Sequence, residues 1–264
     1  MREKRREATI ERIVETALRL LETEGFEALT IQRLAKELNY AVGALYRYFR
    51  SKDALLVALL HRIMDRIGED LQAAQDWLQE RDAAASADDP ADERAMRRLL
   101  AICHVYIGFA QRRPAEYGLI STLIGDPREF LATEAAAPIV PALIRLQLTL
   151  TELINGAAKA GALDEGNGRE RGVILWAGMQ GVLQLRKLGR FGVAGVELDR
   201  LAPIALRTIL LGWGAKASQI DLLTPEVEAL AVELSERRNK LDEARAQSQD
   251  RSADPGDERP TPSP

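Results

Sequence analysis

Gly43, Ala44, Tyr46, Arg47 and Tyr48 bring small side chains, a guanidinium and two phenols together within residues 43–48. On a helix, that combination suits a DNA major groove. Small side chains admit the backbone, Arg47 can reach a guanine edge or a phosphate, and tyrosine hydroxyls can hydrogen-bond phosphates. A second group sets polar ends and large rings into otherwise apolar helices: Cys103, His104, Tyr106, Phe109, Tyr117, Trp176, Met179, Gln180 and Gln184. Small-molecule cavities use this composition, although ordinary core packing with satisfied polar ends explains any one of these residues as well. Cys103 and His104 are adjacent, and neighbours on a helix point about 100° apart, so they do not readily share a metal or a proton. His61, the other histidine, belongs to a different helix. Catalysis has little support, and neither a metal nor a cofactor is expected.

The first group needs two short helices and a tight turn to hold it. In residues 30–49, TIQRLAKELNYAVGALYRYF, Ile31, Leu34, Ala35 and Leu38 recur at helical period, with Thr30 placed as the cap. The turn falls at residues 38–41. Val42, Leu45 and Phe49 read as the inner face of the second helix. Upstream, Ile10, Ile13, Val14, Ala17, Leu18 and Leu21 stripe a first helix that stops at Gly25, with Phe26 folding back on its end. The basic stretch Arg2 to Arg6 reads either as a frayed terminus or as an arm reaching DNA. Ser51 caps a long fourth helix with Asp53 in its first turn, and Lys52 is placed to touch a phosphate there. Leu55, Leu59, Ile63, Ile67 and Leu71 carry that helix toward Trp77.

The tract GALYRYFRSKDALL, residues 43–56, resembles the DNA-binding head of the tetracycline-repressor (TetR) family, and the likeness runs from about Arg6 to Leu59. Gly43, Leu45, Tyr46, Tyr48, Phe49, Ser51, Lys52, Asp53 and Leu55 match the family pattern in place. The resemblance implies a three-helix helix-turn-helix domain over 1–52 and a helical bundle for ligand binding and dimerisation over 53–217. A C-terminal helix with a disordered tail would follow over 218–264. It marks Thr30, Ala41, Val42, Gly43, Ala44, Tyr46, Arg47, Tyr48 and Lys52 as DNA-binding. Where the family has glycine in the turn, this chain has Asn39, which tolerates a left-handed backbone. Ala41, Val42 and Ala44 replace the usual Ser, Pro and Thr. A cap lost to alanine costs about 1 kcal/mol, and base preference does not transfer. In the body, residues 106–120 (YIGFAQRRPAEYGLI) and 176–181 (WAGMQG) resemble a regulatory domain named for a Trp-x-x-x-His-Gly signature, the WHG type. Gln180 stands where that signature has histidine.

Composition agrees with a helical, globular chain. Of 264 residues, 46% are hydrophobic, and alternating β patterns are nearly missing, which favours an all-α fold. Cys103 is the one cysteine, so no internal disulfide framework is expected. The beginning of the chain is charged, and no run of 18 apolar residues occurs. A cytoplasmic protein with no membrane partner is therefore expected. The net charge is −4, yet residues 1–52 hold 11 basic and 8 acidic side chains, so the head alone is basic.

Along the body, residues 81–92 read as an acidic surface loop. Met96, Leu99, Leu100, Cys103 and Ile107 define a helix ending before Pro114, which starts the next. Residues 127–133 read as a single helical span, and Pro138 and Pro141 open a helix stopped by Gly161. Helices follow over 169–187 and 198–214, joined by the glycine loop GRFGVAGVE. Val173, Ile174, Ala177, Gly181, Val182 and Leu185 make the first of these apolar around much of its circumference. That suits either a central core helix or an interface with a second copy, and the resemblance implies a homodimer. Thr224 and Pro225 start an amphipathic helix carrying Val227, Leu230, Ala231, Leu234 and Leu241, and the segment from Ser248 reads as disordered.

The expected function is a ligand-responsive, sequence-specific regulator, a repressor by the family's majority behaviour. Its expected partners are double-stranded palindromic DNA, a second copy, and a small-molecule effector of unknown identity. A helical small-molecule carrier or enzyme with the head as a packing module is the competing reading. A helical interaction adaptor is the third.

Overall fold

The computed structural model describes residues 2–84, 90–125, 137–185 and 200–252. Among these residues the chain forms ten α-helices and no strand, in line with the all-α reading. The first is α1, Arg2–Glu24, whose stripe of Ile13, Val14, Ala17, Leu18 and Leu21 is buried. It includes Arg2 to Arg6, which are helical and exposed rather than frayed. Acidic Glu3 and Glu7 alternate with the basic residues there, and opposite charges three apart support a helix. Gly25 ends α1 with φ 81°, a left-handed backbone that only glycine adopts freely. After a 3-10 turn at Phe26–Ala28 come α2, Ile31–Glu37, and α3, Val42–Leu45.

The linking helix α4, Lys52–Ala84, is followed by α5, Ala91–Arg112, and α6, Pro114–Gly125. Residues 81–84 and 91–92 are therefore helical rather than loop. Arg81 lies on that last turn and pairs with Glu226 at 2.8 Å, a distant partner that extends α4 past its local sequence signals. Next are α7, Val140–Lys159, α8, Gly168–Gln184, and α9, Leu201–Gly212. Gly161, at φ 79°, stops α7 as its sequence indicates.

The last helix, α10, is Ala217–Ser252. It starts well before Thr224 and runs through Pro225, where a helix start was expected. Buried Ile220 and Leu223 anchor the turns ahead of the proline, and Thr224 Oγ1 donates to the Ile220 carbonyl at 2.7 Å, as a mid-helix threonine does. Residues 248–252 continue α10, so they are helical rather than disordered. Leu241, assigned to the docked face, is 45% exposed. The span at 127–133, the glycine loop at 189–197 and the tail from 253 lie outside the described residues.

In the body, α5 is the helix buried on nearly all sides, from Met96 to Ala110. The most extensive helix pairing runs between α10 and α5, while α8 packs between α7 and α9. The central helix is thus α5 rather than α8, which leaves Val173 and Ile174 of α8, Leu185 just past its end, and Ile204 of α9 41–53% exposed in the single chain. No described helix is long and apolar enough to cross a membrane.

Candidate nucleic-acid interface and effector site

Local chemistry pins the turn that aims α3. Thr30 Oγ1 accepts the Arg33 N–H at 3.1 Å and caps α2. Asn39 takes φ 55°, the left-handed step anticipated for it, and the Tyr40 N–H then returns to the Ala35 carbonyl at 2.9 Å. Arg12 of α1 donates to the Tyr40 hydroxyl and sits 5.2 Å from that ring's centre, tying the turn to the first helix. Sequence reasoning missed this pair, because a contact between residues 28 apart leaves no local signal.

On that support, α3 is a single helical turn, continued by hydrogen bonds from the Arg47 N–H to Ala44 and from the Phe49 N–H to Leu45. Ala41 offers no side-chain cap, as its identity dictates. Leu45 and Phe49 are buried, but Val42 is 38% exposed, so it lies outside the inner face assigned to it. With so few turns, the entry to α3 has nothing packed over it. Ala41, Val42, Gly43, Tyr46, Arg47 and Lys52 are exposed, whereas Thr30, Ala44 and Tyr48 are half-buried. Among the described residues Arg47 has no side-chain hydrogen bond or ion pair. Arg33 is engaged: Glu24 and Glu37 hold it at 2.5 and 2.7 Å and push its pKa above the ordinary arginine value. Ser51 Oγ caps α4 by accepting the Ala54 N–H at 3.1 Å, and the Lys52 ammonium stands 4.9 Å from the centre of the Phe26 ring.

The second group splits in two. Tyr106 of α5, Tyr117 of α6 and Gln180 of α8 converge in the interior, where Gln180 Oε1 accepts both tyrosine hydroxyls, at 2.8 and 2.5 Å. Gln180 Nε2 reaches Ser121 Oγ at 3.5 Å, and the two phenol rings meet edge-on at 6.5 Å. Burial pushes both phenol pKa values up, so both remain neutral donors. An amide oxygen has two lone pairs and accepts both hydroxyls at once, whereas a neutral imidazole offers a single accepting nitrogen.

The other candidates sit elsewhere. His104 faces α10, with Nδ1 3.8 Å from Glu228, and burial lowers its pKa to about 4, so it is neutral near pH 7. Phe109 also faces α10, lining a cleft of about 10 Å³ with Asp70, Arg112 and Leu234. Cys103 is buried, its thiol pushed up to about 12, and Met179 is buried as well. Gln184 is exposed at the end of α8 and does not join the cluster, because the apolar side of that last turn is taken by Leu183. A cavity of about 250 Å³ between α1 and α6 and a cleft of about 280 Å³ between α5 and α7 touch none of the nine candidates.

A pinned two-helix turn presenting an exposed α3 with Arg47 just beyond its end, set on a helical body, is the arrangement of a helix-turn-helix transcriptional regulator. Residues 13–59 match the sequence model described as "Bacterial regulatory proteins, tetR family", and residues 99–209 match "Tetracyclin repressor-like, C-terminal domain". A helix-turn-helix-type transcriptional regulator from the dhlA 5′ region of Xanthobacter autotrophicus is 30% identical over 143 residues, covering 50% of this chain and 67% of that one. The chain belongs to the TetR family, a family of transcriptional regulators rather than enzymes. The regulator YuxN of Bacillus subtilis is 43% identical over 54 residues, a match that spans only 19% of its length. Among solved structures, SmeT, the repressor of the Stenotrophomonas maltophilia multidrug efflux pump SmeDEF, superposes with a TM-score of 0.55. It covers 80% of this chain and 92% of SmeT at 18% identity, a likeness of fold.

Proposed function

We propose that the protein is a homodimeric, cytoplasmic repressor that binds a palindromic operator and is released from it by a small uncharged or weakly polar effector. Repression is the named role of SmeT. The observation that carries the reading is the exposed face of Val42, Gly43, Tyr46 and Arg47 on a turn pinned from behind, with Arg47 unengaged. Arg47 reads a base edge or a phosphate, Tyr46, Tyr48 and Lys52 hold phosphates, and Thr30, Ala41 and Ala44 shape the backbone approach. A second copy covers Val173 and Ile174 of α8, Leu185 at its end and Ile204 of α9, where Ala177 and Gly181 keep the surface flat. The effector competes for Tyr106, Tyr117 and Gln180, the buried polar groups able to exchange partners, with Trp176 and Met179 beside them.

The route to DNA is short. Glu116 precedes Tyr117 on α6, is fully buried and pairs with Arg66 of α4, which in turn holds Glu15 of α1 at 2.6 Å. Pulling Tyr117 from Gln180 displaces the turn of α6 that carries Glu116, and through Arg66 it changes how the head sits on the body. The reading involves no catalytic step.

The test is selection from a random duplex library with the purified chain, at fixed moderate salt. Enrichment of a palindrome bound by one dimer, and lost on Arg47→Ala with the dimer intact, is the expected result. A folded dimer that enriches no sequence overturns the reading.

A further inference from the structure

Two arginines at the head–body junction each serve three helices. Arg66 of α4 holds Glu15 of α1 at 2.6 Å, pairs with Glu116 of α6, and lies 3.7 Å from Asp242 of α10. Arg113, between α5 and α6, lies 3.6 Å from Glu22 of α1 and 3.1 Å from Glu116 of α6, and binds Asp242 at 2.7 Å and Asn239 at 2.9 Å. Asp242 is thus the carboxylate of α10 that both arginines share.

One turn earlier on the same face, Arg238 is buried and pairs with Glu69 of α4 and with Asp70 at 2.9 Å. Val227, Ala231, Leu234, Arg238 and Asp242 follow helical spacing, so one stripe of α10 is apolar where it lies on α5 and charged where it reaches α4 and α6. The family-type segments end at residue 209, so this charged end of α10 lies beyond them.

We propose that the end of α10 is an internal clamp in which Asp242, through Arg113 and Arg66, holds α1 and thereby fixes the orientation of the DNA-binding head. Asp242 is a positioning residue: it touches no DNA and acts through the two arginines, each of which also grips α1. Without its charge, Arg113 and Arg66 lose the contact that orients them toward Glu22 and Glu15, and the head samples a wider range of angles. A dimer that must present two heads at one half-site spacing then binds more weakly. The DNA arm of this inference rests on the proposed function; the part that concerns motion of α1 does not.

The experiment uses the full chain, Asp242→Asn and Asp242→Glu. Backbone hydrogen exchange is followed without DNA, and affinity is measured for the duplex recovered by selection with the unaltered chain. Asp242→Asn is expected to speed exchange in α1 at least threefold while α8 and α9 keep their rates, and to weaken duplex binding about fivefold with the dimer unchanged. Asp242→Glu restores both readouts to within about twofold, since it returns the charge on a longer arm. Asn239→Ala, which removes only the neutral half of the Arg113 contact, moves both in the same direction by a smaller factor.

Unchanged exchange in α1 for Asp242→Asn overturns the clamp, as does failure of Asp242→Glu to restore it. A uniform rise across α1, α8 and α9 also overturns it, because it marks general loss of stability. If no duplex is ever recovered, the function reading falls while the exchange result still decides the clamp.

Discussion

Replacing Gln180 by leucine keeps the volume of the side chain and removes the one oxygen that both tyrosines use. Tyr106 has that oxygen as its acceptor at 2.8 Å, so its buried hydroxyl is left unsatisfied, at a cost of about 1–3 kcal/mol. Tyr117 falls back on the Gln180 main-chain carbonyl at 3.3 Å and loses only the difference between a short bond and a long one, about 0.5–1.5 kcal/mol. The sum is about 3 kcal/mol, or roughly 6–12 °C in melting temperature for a chain of this size. Urea and thermal melts at fixed protein concentration measure it, the concentration being fixed because dimerisation contributes to stability. The triple variant Gln180→Leu, Tyr106→Phe, Tyr117→Phe removes both donors along with their acceptor and should recover most of the loss. Gln180→His should cost about half as much, because one ring nitrogen accepts one hydroxyl rather than two. A Gln180→Leu chain within about 0.5 kcal/mol of the original would show that the tyrosines find other partners and that Gln180 does not organise the site.

Arg47→Ala should leave the melt unchanged and weaken operator binding by about 1–3 kcal/mol, reducing the salt dependence by about one phosphate contact if that is what Arg47 makes; equal binding would remove it from the interface. Asn39→Val should destabilise the head by about 1–2 kcal/mol, because a β-branched side chain opposes φ 55°, and a smaller change in urea midpoint would mean the turn relaxes freely. Ile174→Glu puts a carboxylate on a 53% exposed α8 position and should convert dimer to monomer in sedimentation while helicity is retained; a surviving dimer would place the interface elsewhere. Burial raises the Glu116 carboxyl from 4.5 to about 7 against the opposing charges of Arg66 and Arg113, with Glu22 adding to the rise. Its contribution to stability is therefore fully present below about 4.5 and lost as pH rises through about 7, so the unaltered chain should lose stability relative to Glu116→Gln between pH 5 and 8.

The head was legible because its determinants are local. The period of Ile13 to Leu21, the glycine at 25, the threonine cap at 30 and the left-handed Asn39 each act within a few residues of themselves. Val42 escaped because helical spacing presumes a helix long enough to have a back, and α3 has one turn. In the body, helix positions followed from proline and glycine, yet facing did not. His104 and Phe109 share the composition of Tyr106 but not its direction, since direction on α5 depends on where α10 lies across it. Its start was misplaced because proline usually opens a helix, and here packing of Ile220 and Leu223 outweighs that preference. The junction network was invisible for the plainest reason: Glu15, Arg66, Glu116 and Asp242 come from four helices spread over most of the chain.

That network also sets what an effector has to supply. Lowering operator affinity a hundredfold requires about 2.7 kcal/mol of difference between the effector's binding to the released and the DNA-bound arrangements, and binding both equally would shift nothing. The tyrosine cluster can provide a difference of that order, because one ligand acceptor replacing Gln180 changes two buried hydrogen bonds at once. A strictly apolar ligand leaves those hydroxyls on Gln180 and has no hold on α6. Under the proposed function, an acceptor-bearing ligand would therefore be the one to move Glu116 and, with it, Arg66 and the head. By reciprocity the operator must weaken that ligand by the same factor, so titration of effector against protein with and without duplex measures the coupling without any transcription assay.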